Sequence, residues 1–589
     1  MKKILIYLIL FILTIPLFVN ARKTTVNTLS ALSSTFSSAV GGDTIVISNG
    51  TYNWGQIFIN NNNNTPTSNW IVVKAQTKLG VVFNGTTYFG FSGNRIHIDG
   101  FKFANGNAGA NPVVGFRTSS SNLANYSQVS NMYFDNYNTD SLTDNEWVAL
   151  YGVHNRVDHC SFINKYNSRA ALVVWYSTAT FPDQSTPTYH LIDSNYFFHR
   201  SFMGANGGEC MRIGVGNNSR TFGYNIIEHN LFEDCIQTEP ELVSNKSAFN
   251  TYRYNTFKNC NGGLTLRMGK YSTVYSNFFI NNDPTKTGSY GIRIIDKGHT
   301  VFNNYCEGLL GSSGSLSAMR CPIIIYNGTY PASDSLNPII LNGVYLPADD
   351  ALVAFNTVVN CKGGPGINIG YYDGGAALNV PTNVIIANNV IKMTTGQAAY
   401  LNPVNTTLTY FAEGNMYNAP NGLGLTSSTG FANTPLTFGT RAFGILPPPN
   451  VVQNAAVNTN NYKTLLSSLD IQKKLRSSIF DVGSYEIGGT GSVVNYPLDS
   501  NLVGAGKPFT LNLLSLTNVT CKTANNGTIS VIAEGGTPPY LYRTNNLPFS
   551  TSGTFTNLVP NTYAILVKDN KGLSTTINVT VKSSSVTCP

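Results

Sequence analysis

An asparagine flanked by apolar and aromatic residues returns at short intervals along most of this chain. It stands in LIDSNYF at Asn195, IIEHNLF at Asn230, YRYNTF at Asn255, VYSNFF at Asn277, VFNNYC at Asn304, VAFNTV at Asn356 and IIANNVI at Asn389. The closest units, from Asn230 through Asn255 and Asn277 to Asn304, lie 25, 22 and 27 residues apart. A period of this length marks a stacked repeat, in which each unit buries its apolar face against its neighbours. The units are β-branched and aromatic, alternate with period two and end in polar turns, which predicts short strands. Helical patterns between them are missing. The chain is therefore expected to be all-β, with a parallel β-helix over residues 22–487. A buried column of amides is tolerable only if every polar group is paired, so each Asn is expected at a turn, bonding within and between coils. Cys235 and Cys260 each follow their Asn by five residues and should stack in neighbouring coils.

Longer gaps interrupt the repeat. The interval from Asn304 to Asn356 contains SSGSLSAMRCPIIIYNGTYPASDSLNP, read as a large loop of the kind that can wall a groove. The pattern ends near Ile487, and residues 488–510, including GGTGSVVNYP, read as a linker. Residues 511–589 show short alternating strands with turns at Asn525-Asn526-Gly527, Gly535-Gly536 and Asp569-Asn570, which predicts a small Ig-like β-sandwich. The closing SSSVTCP echoes NVTC at 518–521, as though a second copy were about to begin. No catalytic cluster is visible in this module, so its expected role is presentation or spacing.

The opening MKKILIYLILFILTIPLFVNA has a basic start, an apolar run and small residues at Val19 and Ala21. It reads as a secretory signal peptide over residues 1–21. No other long apolar run is present, so no membrane span is expected and the protein is expected to be secreted or displayed at the cell surface. The net charge of +8 suits a polyanionic partner. Nucleic acid is disfavoured, because no run of Lys and Arg appears and charged residues make up only 11% of the chain. None of the nine cysteines forms a C-x-x-C pair, so a zinc site is unsupported and most are expected as small core residues.

The chemistry concentrates in EPELVSNKS at 239–247. Residues two apart on a strand face one side, so Glu239 and Glu241 can converge on one cation. Hard oxygen ligands favour calcium, and Asn206 in NGGECMRIG is a candidate third ligand about one coil earlier. Lys246 has the opposite parity to Glu241, so a turn is expected at Ser244-Asn245. Lys246 and Arg267 are 21 residues apart, close to one coil, which predicts adjacent rungs. Taken singly, each of these charged residues reads more readily as a solvated surface charge. Together, two acids, a lysine and an arginine within about one and a half coils suit the breaking of an acidic polysaccharide. A uronic acid has a weakly acidic C5 proton beside its carboxylate. A divalent cation offsets the charge that develops when the proton leaves, an amine can take the proton, and a donor must meet the departing O4.

The stretches NGGECMRIG, IIEHNLFEDC, EPELVSNKS, NTYRYNTFKNCNGGLTLRMG and YGIRIIDKGHTVFNNYCEGL resemble polysaccharide lyase family six, which includes alginate lyases and chondroitinase B. The resemblance covers roughly residues 40–487. It implies a right-handed parallel β-helix and calcium-assisted β-elimination, with Lys246 as general base and Arg267 as general acid. It also implies Asn206, Glu239 and Glu241 as Ca2+ ligands. Arg212 and Arg293 are candidates for contacting substrate carboxylates, with a structural role the competing reading. One departure is Met268, where family members commonly carry His after the arginine; Met268 can neither transfer a proton nor donate a hydrogen bond. Pro240 within EPE is a second, and proline suits an extended strand edge. The module beyond residue 510 resembles the SprB-type surface repeat of gliding bacteria, which points to a Gram-negative source.

Alginate is the expected substrate, since the SNKS–NTYRYN–LRxG run is more similar to the alginate-cleaving members, with mannuronate-containing linkages favoured. A chondroitin or dermatan sulfate lyase would need further cations for sulfates. A non-catalytic polyuronate-binding protein on the same scaffold is a second rival. A hydrolase needs carboxylates opposed across the sugar, which Glu239 and Glu241 are too close in sequence to provide.

Overall fold

A computed structural model describes residues 21–589 except 139–142, 177–186, 202–206, 217–218, 312–319, 332–343, 372–378, 403–407, 458–465, 467, 492–494, 508, 535–539, 546, 570–573 and 589, and leaves the side chains of 237–240 undescribed. All but Ala21 of the expected signal peptide, the candidate ligand Asn206 and the Glu239 side chain therefore lie outside the described residues.

The main body is a parallel β-helix. Among the described residues its strands form three long parallel sheets of 14, 13 and 14 strands, each strand pairing with its counterpart one coil away. Short strands with tight turns build this coil because the turn residue preceding each Asn adopts a left-handed conformation: Ser194, His229, Tyr254, Ser276, Asn303, Phe355 and Asn388 all have φ between 53° and 59°. Such a conformation costs a non-glycine residue about 1–2 kcal/mol. The Asn that follows offsets it. From Asn195 through Asn230, Asn255, Asn277, Asn304, Asn356 and Asn389 to Asn415, the backbone N–H and the Nδ2 of each amide both donate to Oδ1 of the next, at 2.9–3.1 Å. The repeat thus locks successive coils in register.

Inside the coil, Phe134, Phe162, Phe197, Phe232, Phe257 and Phe279 stack face to face at 4.5–5.2 Å. Cys235 and Cys260 are buried in adjacent coils as expected, and seven cysteines are free and buried. The amino-terminal end is closed by a helix, Leu29–Ser37, whose Leu32 and Phe36 are fully buried. Thr28 caps it, its side chain accepting from the Ala31 N–H at 3.2 Å. A cap of this kind keeps the first coil's unpaired edge from acting as a pairing template.

Within the stretch read as a linker, residues 495–505 run back along the helix. Asn495 donates to the Ser276 carbonyl at 3.3 Å, the Leu498 N–H to Thr256 Oγ1 at 2.9 Å and the Ala505 N–H to Ser161 Oγ at 2.8 Å. The carboxy-terminal module has two antiparallel three-stranded sheets around its own apolar core. A disulfide joins Cys521 to Cys588, so the two VTC triplets are held together.

Candidate active site

The candidate residues sit on the 13-stranded sheet, on strands Met211–Ile213, Ile236–Lys246, Asn261–Met268 and Ile292–Ile294, which are neighbours in that order. In register, Arg212 lies opposite Ser244, Ser244 opposite Thr265, and Thr265 opposite Arg293. These four positions form one outward row across four coils.

The expected turn at Ser244-Asn245 is absent: Ile236–Lys246 is one uninterrupted strand. A bulge corrects the parity instead. Glu241 pairs with Gly263 and Val243 with Leu264, so Leu242 is the extra residue. It is fully buried, and a Cβ on Gly262 would come within 2.8 Å of it, which leaves room for glycine alone. The extra residue places Glu241, Ser244 and Lys246 on one face, the re-aiming role that bulges play beside functional sites. A second irregularity follows Asn245, where Lys246 pairs with Met268, so that Arg267 is stepped past. Lys246 and Arg267 thus occupy adjacent coils, displaced by one residue rather than directly opposed.

Glu241 is the centre of the cluster. Ser244 donates to its Oε2 at 2.6 Å, and its Oε1 lies 3.5 Å from Arg267 Nε and 3.7 Å from Arg293 Nη1. Burial pushes the carboxyl up, but the charges of Lys246, Arg267 and Arg293, with the Ser244 hydrogen bond, outweigh it and hold the group below the usual carboxylate range. Glu241 is therefore an ionised carboxylate that is only 7% exposed. Among the described residues it accepts one hydrogen bond, and the two guanidinium contacts are long. Lone pairs on a buried, ionised oxygen set fit the needs of a hard dication.

The cations are held differently. Arg267 lies 3.7 Å from the Tyr345 ring centroid and its Nη1 donates to the Val344 carbonyl at 3.4 Å. Arg293 is 2% exposed and donates to the Tyr326 hydroxyl at 3.1 and 2.7 Å, so it supports Glu241 from beneath the surface. Arg212 is half-buried 5.6 Å over the Trp175 ring. Met268 is buried and shares its surroundings with the ion pair of Arg220 and Asp296 at 2.6 Å. Sequence reasoning missed Ser244, Tyr326 and Tyr345. Ser244 stands inside the quoted motif, whereas the two tyrosines sit in the long interval where the repeat gives no register.

The sequence and the β-helix both have relatives among known proteins. The chondroitinase B family model matches residues 26–456, and a SprB repeat matches residues 513–549. The chain belongs to the chondroitinase B family, polysaccharide lyase family 6. The PL6 family alginate lyase AlyGC superposes with a TM-score of 0.66 at 26% identity, covering 85% of this chain and 60% of that one. A mannuronic acid specific family 6 lyase from human gut microbiota gives 0.58 at 25% identity, covering 67% of this chain and 86% of that one. A PL6 polysaccharide lyase from Pseudopedobacter saltans gives 0.55 at 26%, covering 70% and 97%. The chain spans about three fifths of the AlyGC structure. No protein of curated function matches it. The SprB repeat points to a cell-surface protein. Among the described residues no helix is long and apolar enough to cross a membrane.

Proposed function

We propose that this family 6 protein is an exported lyase that cleaves alginate, preferring mannuronate-containing linkages, by calcium-assisted β-elimination. The observation that carries the reading is the buried, ionised Glu241 ringed by Lys246, Arg267 and Arg293 on an outward sheet face. The similarity to an alginate lyase and to a mannuronic acid specific lyase supports the substrate. The signal peptide at 1–21 supplies the export route.

In this reading the Lys246 amine takes the C5 proton of the uronate. The C5–H electrons form the C4–C5 double bond, the C4–O bond breaks, and O4 receives a proton from Arg267 or from a water that Arg267 polarises. Tyr345 and Glu241 hold the Arg267 guanidinium in one orientation for that role. Glu241, with Glu239 and Asn206, would hold calcium, which when bound offsets charge on the substrate carboxylate as its C5 proton leaves. Arg212 would contact a carboxylate of the chain, while Arg293 positions Glu241.

Chelation is expected to lower the rate at least tenfold, calcium to restore it, and saturating calcium to raise Tm by preferential binding to the folded state. Full activity in excess chelator with an unmoved Tm would remove calcium from the account. Substrate is tested with a panel of purified alginate blocks, pectate, dermatan sulfate and chondroitin sulfate, read as rising ultraviolet absorbance from unsaturated ends. Cleavage of mannuronate-rich alginate is expected. A response confined to the sulfated chains would reassign the enzyme within its family.

A further inference from the structure

The sheet that carries Lys246 continues into a second built surface four coils earlier. Val114, Val148, Leu172, Met211 and Val243 lie opposite one another in successive strands. Three residues beyond the first three stand Arg117, Tyr151 and Trp175, the same offset that Lys246 has from Val243. They form one stack. The Arg117 guanidinium is 3.8 Å from the Tyr151 ring centroid, and the Tyr151 and Trp175 rings are 6.4 Å apart with planes at 7°. Arg212 covers Trp175 on the way to Lys246.

At the far end of this stack lies a cavity of about 230 Å³ lined by Phe58, Tyr88, Gly90, Gly115, Arg117 and Tyr151. Gly115 leaves bare backbone in its floor, while the Phe58 ring lies over Gly90. Gly115 lies opposite Gly90, and a Cβ on Gly115 would meet nothing nearer than 3.8 Å. Phe58 is 44% exposed and meets Tyr88 edge-on at 5.9 Å. Arg169, by contrast with Arg117, is neutralised by Asp144 and Glu146. Among the described residues no carboxylate pairs with Arg117.

An aromatic wall, a flat floor and an unneutralised guanidinium match the chemistry of one uronate residue, whose C–H face is apolar and whose carboxylate suits a guanidinium fork. Parallel strands lie 4.7–4.9 Å apart, so four coils separate the cavity from Lys246 by about 19 Å. One coil advances roughly the length of one sugar in an extended chain, which sets the cavity about four sugars from the bond to be broken. The geometry points to a distal subsite for an anionic sugar of the same chain whose bond is cut at Lys246, giving the protein a preference for longer polyuronates. This rests on the polyuronate-lyase reading above.

The test is calorimetric binding of mannuronate tetrasaccharide and octasaccharide to the full chain carrying Lys246→Ala. The octasaccharide is expected to bind about tenfold tighter or more, since it alone is long enough to reach the Arg117 guanidinium while occupying the site at residue 246. Adding Arg117→Ala, or Gly115→Leu to fill the floor, should reduce that ratio to below about threefold, and Arg117→Lys should recover part of it. An octasaccharide that binds no tighter than the tetrasaccharide overturns the subsite, as does a ratio unmoved by both substitutions. Cleavage by the unsubstituted chain is read in parallel. Alginate cleavage without length-dependent binding removes the subsite alone; length-dependent binding without cleavage removes the lyase reading alone.

Discussion

Lys246→Ala is expected to lower kcat on alginate by about a thousandfold or more while leaving the fold intact. General base catalysis contributes roughly 10²–10⁴ to rate, and here the proton comes from carbon, so no solvent species substitutes well. Lys246 lies at the end of its strand and is only half-buried, so truncating it removes little packing. The informative companion is Lys246→Arg. It keeps the positive charge beside Glu241 but cannot accept a proton near neutral pH. If Lys246 served only to balance the Glu241 charge, Arg would restore most of the rate; as a base, it leaves the variant as inactive as Ala. Recovery of a tenth or more of wild-type kcat in the Arg variant would move the base elsewhere.

Asn277→Ala carries the largest expected cost in stability, about 3–5 kcal/mol. Asn277 Oδ1 accepts both the backbone and the side-chain donor of Asn255, each at 3.0 Å, and its Nδ2 donates to Asn304 Oδ1 and to the Tyr252 and Tyr275 carbonyls. Truncation strands two buried donors on Asn255 and deprives those acceptors. Each buried polar group left unsatisfied costs about 1–3 kcal/mol, which places the change in the upper range for single substitutions. Because coils depend on their nearest neighbours, the loss should appear first as faster amide exchange in the coils on either side of residue 277. A cost under about 1 kcal/mol would show that water replaces the amide and that the column does not hold the coils together.

The same column explains why so much of the fold was legible. A recurrent Asn preceded by a left-handed residue is a local signal, and each repetition reports one coil. The candidate site was legible as residue types for a related reason: EPELVSNKS and its neighbours crowd their charges into less than two coils. Its geometry was not. Parity counting over Glu241 to Lys246 called for a turn, whereas the strand inserts Leu242 as a bulge; a buried leucine in place of a turn leaves no mark in an alternation already rich in apolar residues. Tyr326 and Tyr345 escaped because they lie in the interval between Asn304 and Asn356, where no repeat fixes the register. The capping helix escaped because LSALSSTFS is rich in serine and buries only Leu32 and Phe36. The disulfide between Cys521 and Cys588 was not legible, because the repeated VTC reads as the start of a second copy rather than as two bonded partners.

The central claim is that an amine removes hydrogen from C5 of a uronate residue. The direct measurement is digestion of alginate deuterated at C5, following both the label and the chain ends. The account predicts one deuteron lost to water for each bond broken, an unsaturated end that absorbs in the ultraviolet, and slower cleavage than with the unlabelled polymer. Shorter chains that keep every deuteron and carry no unsaturated end would contradict it.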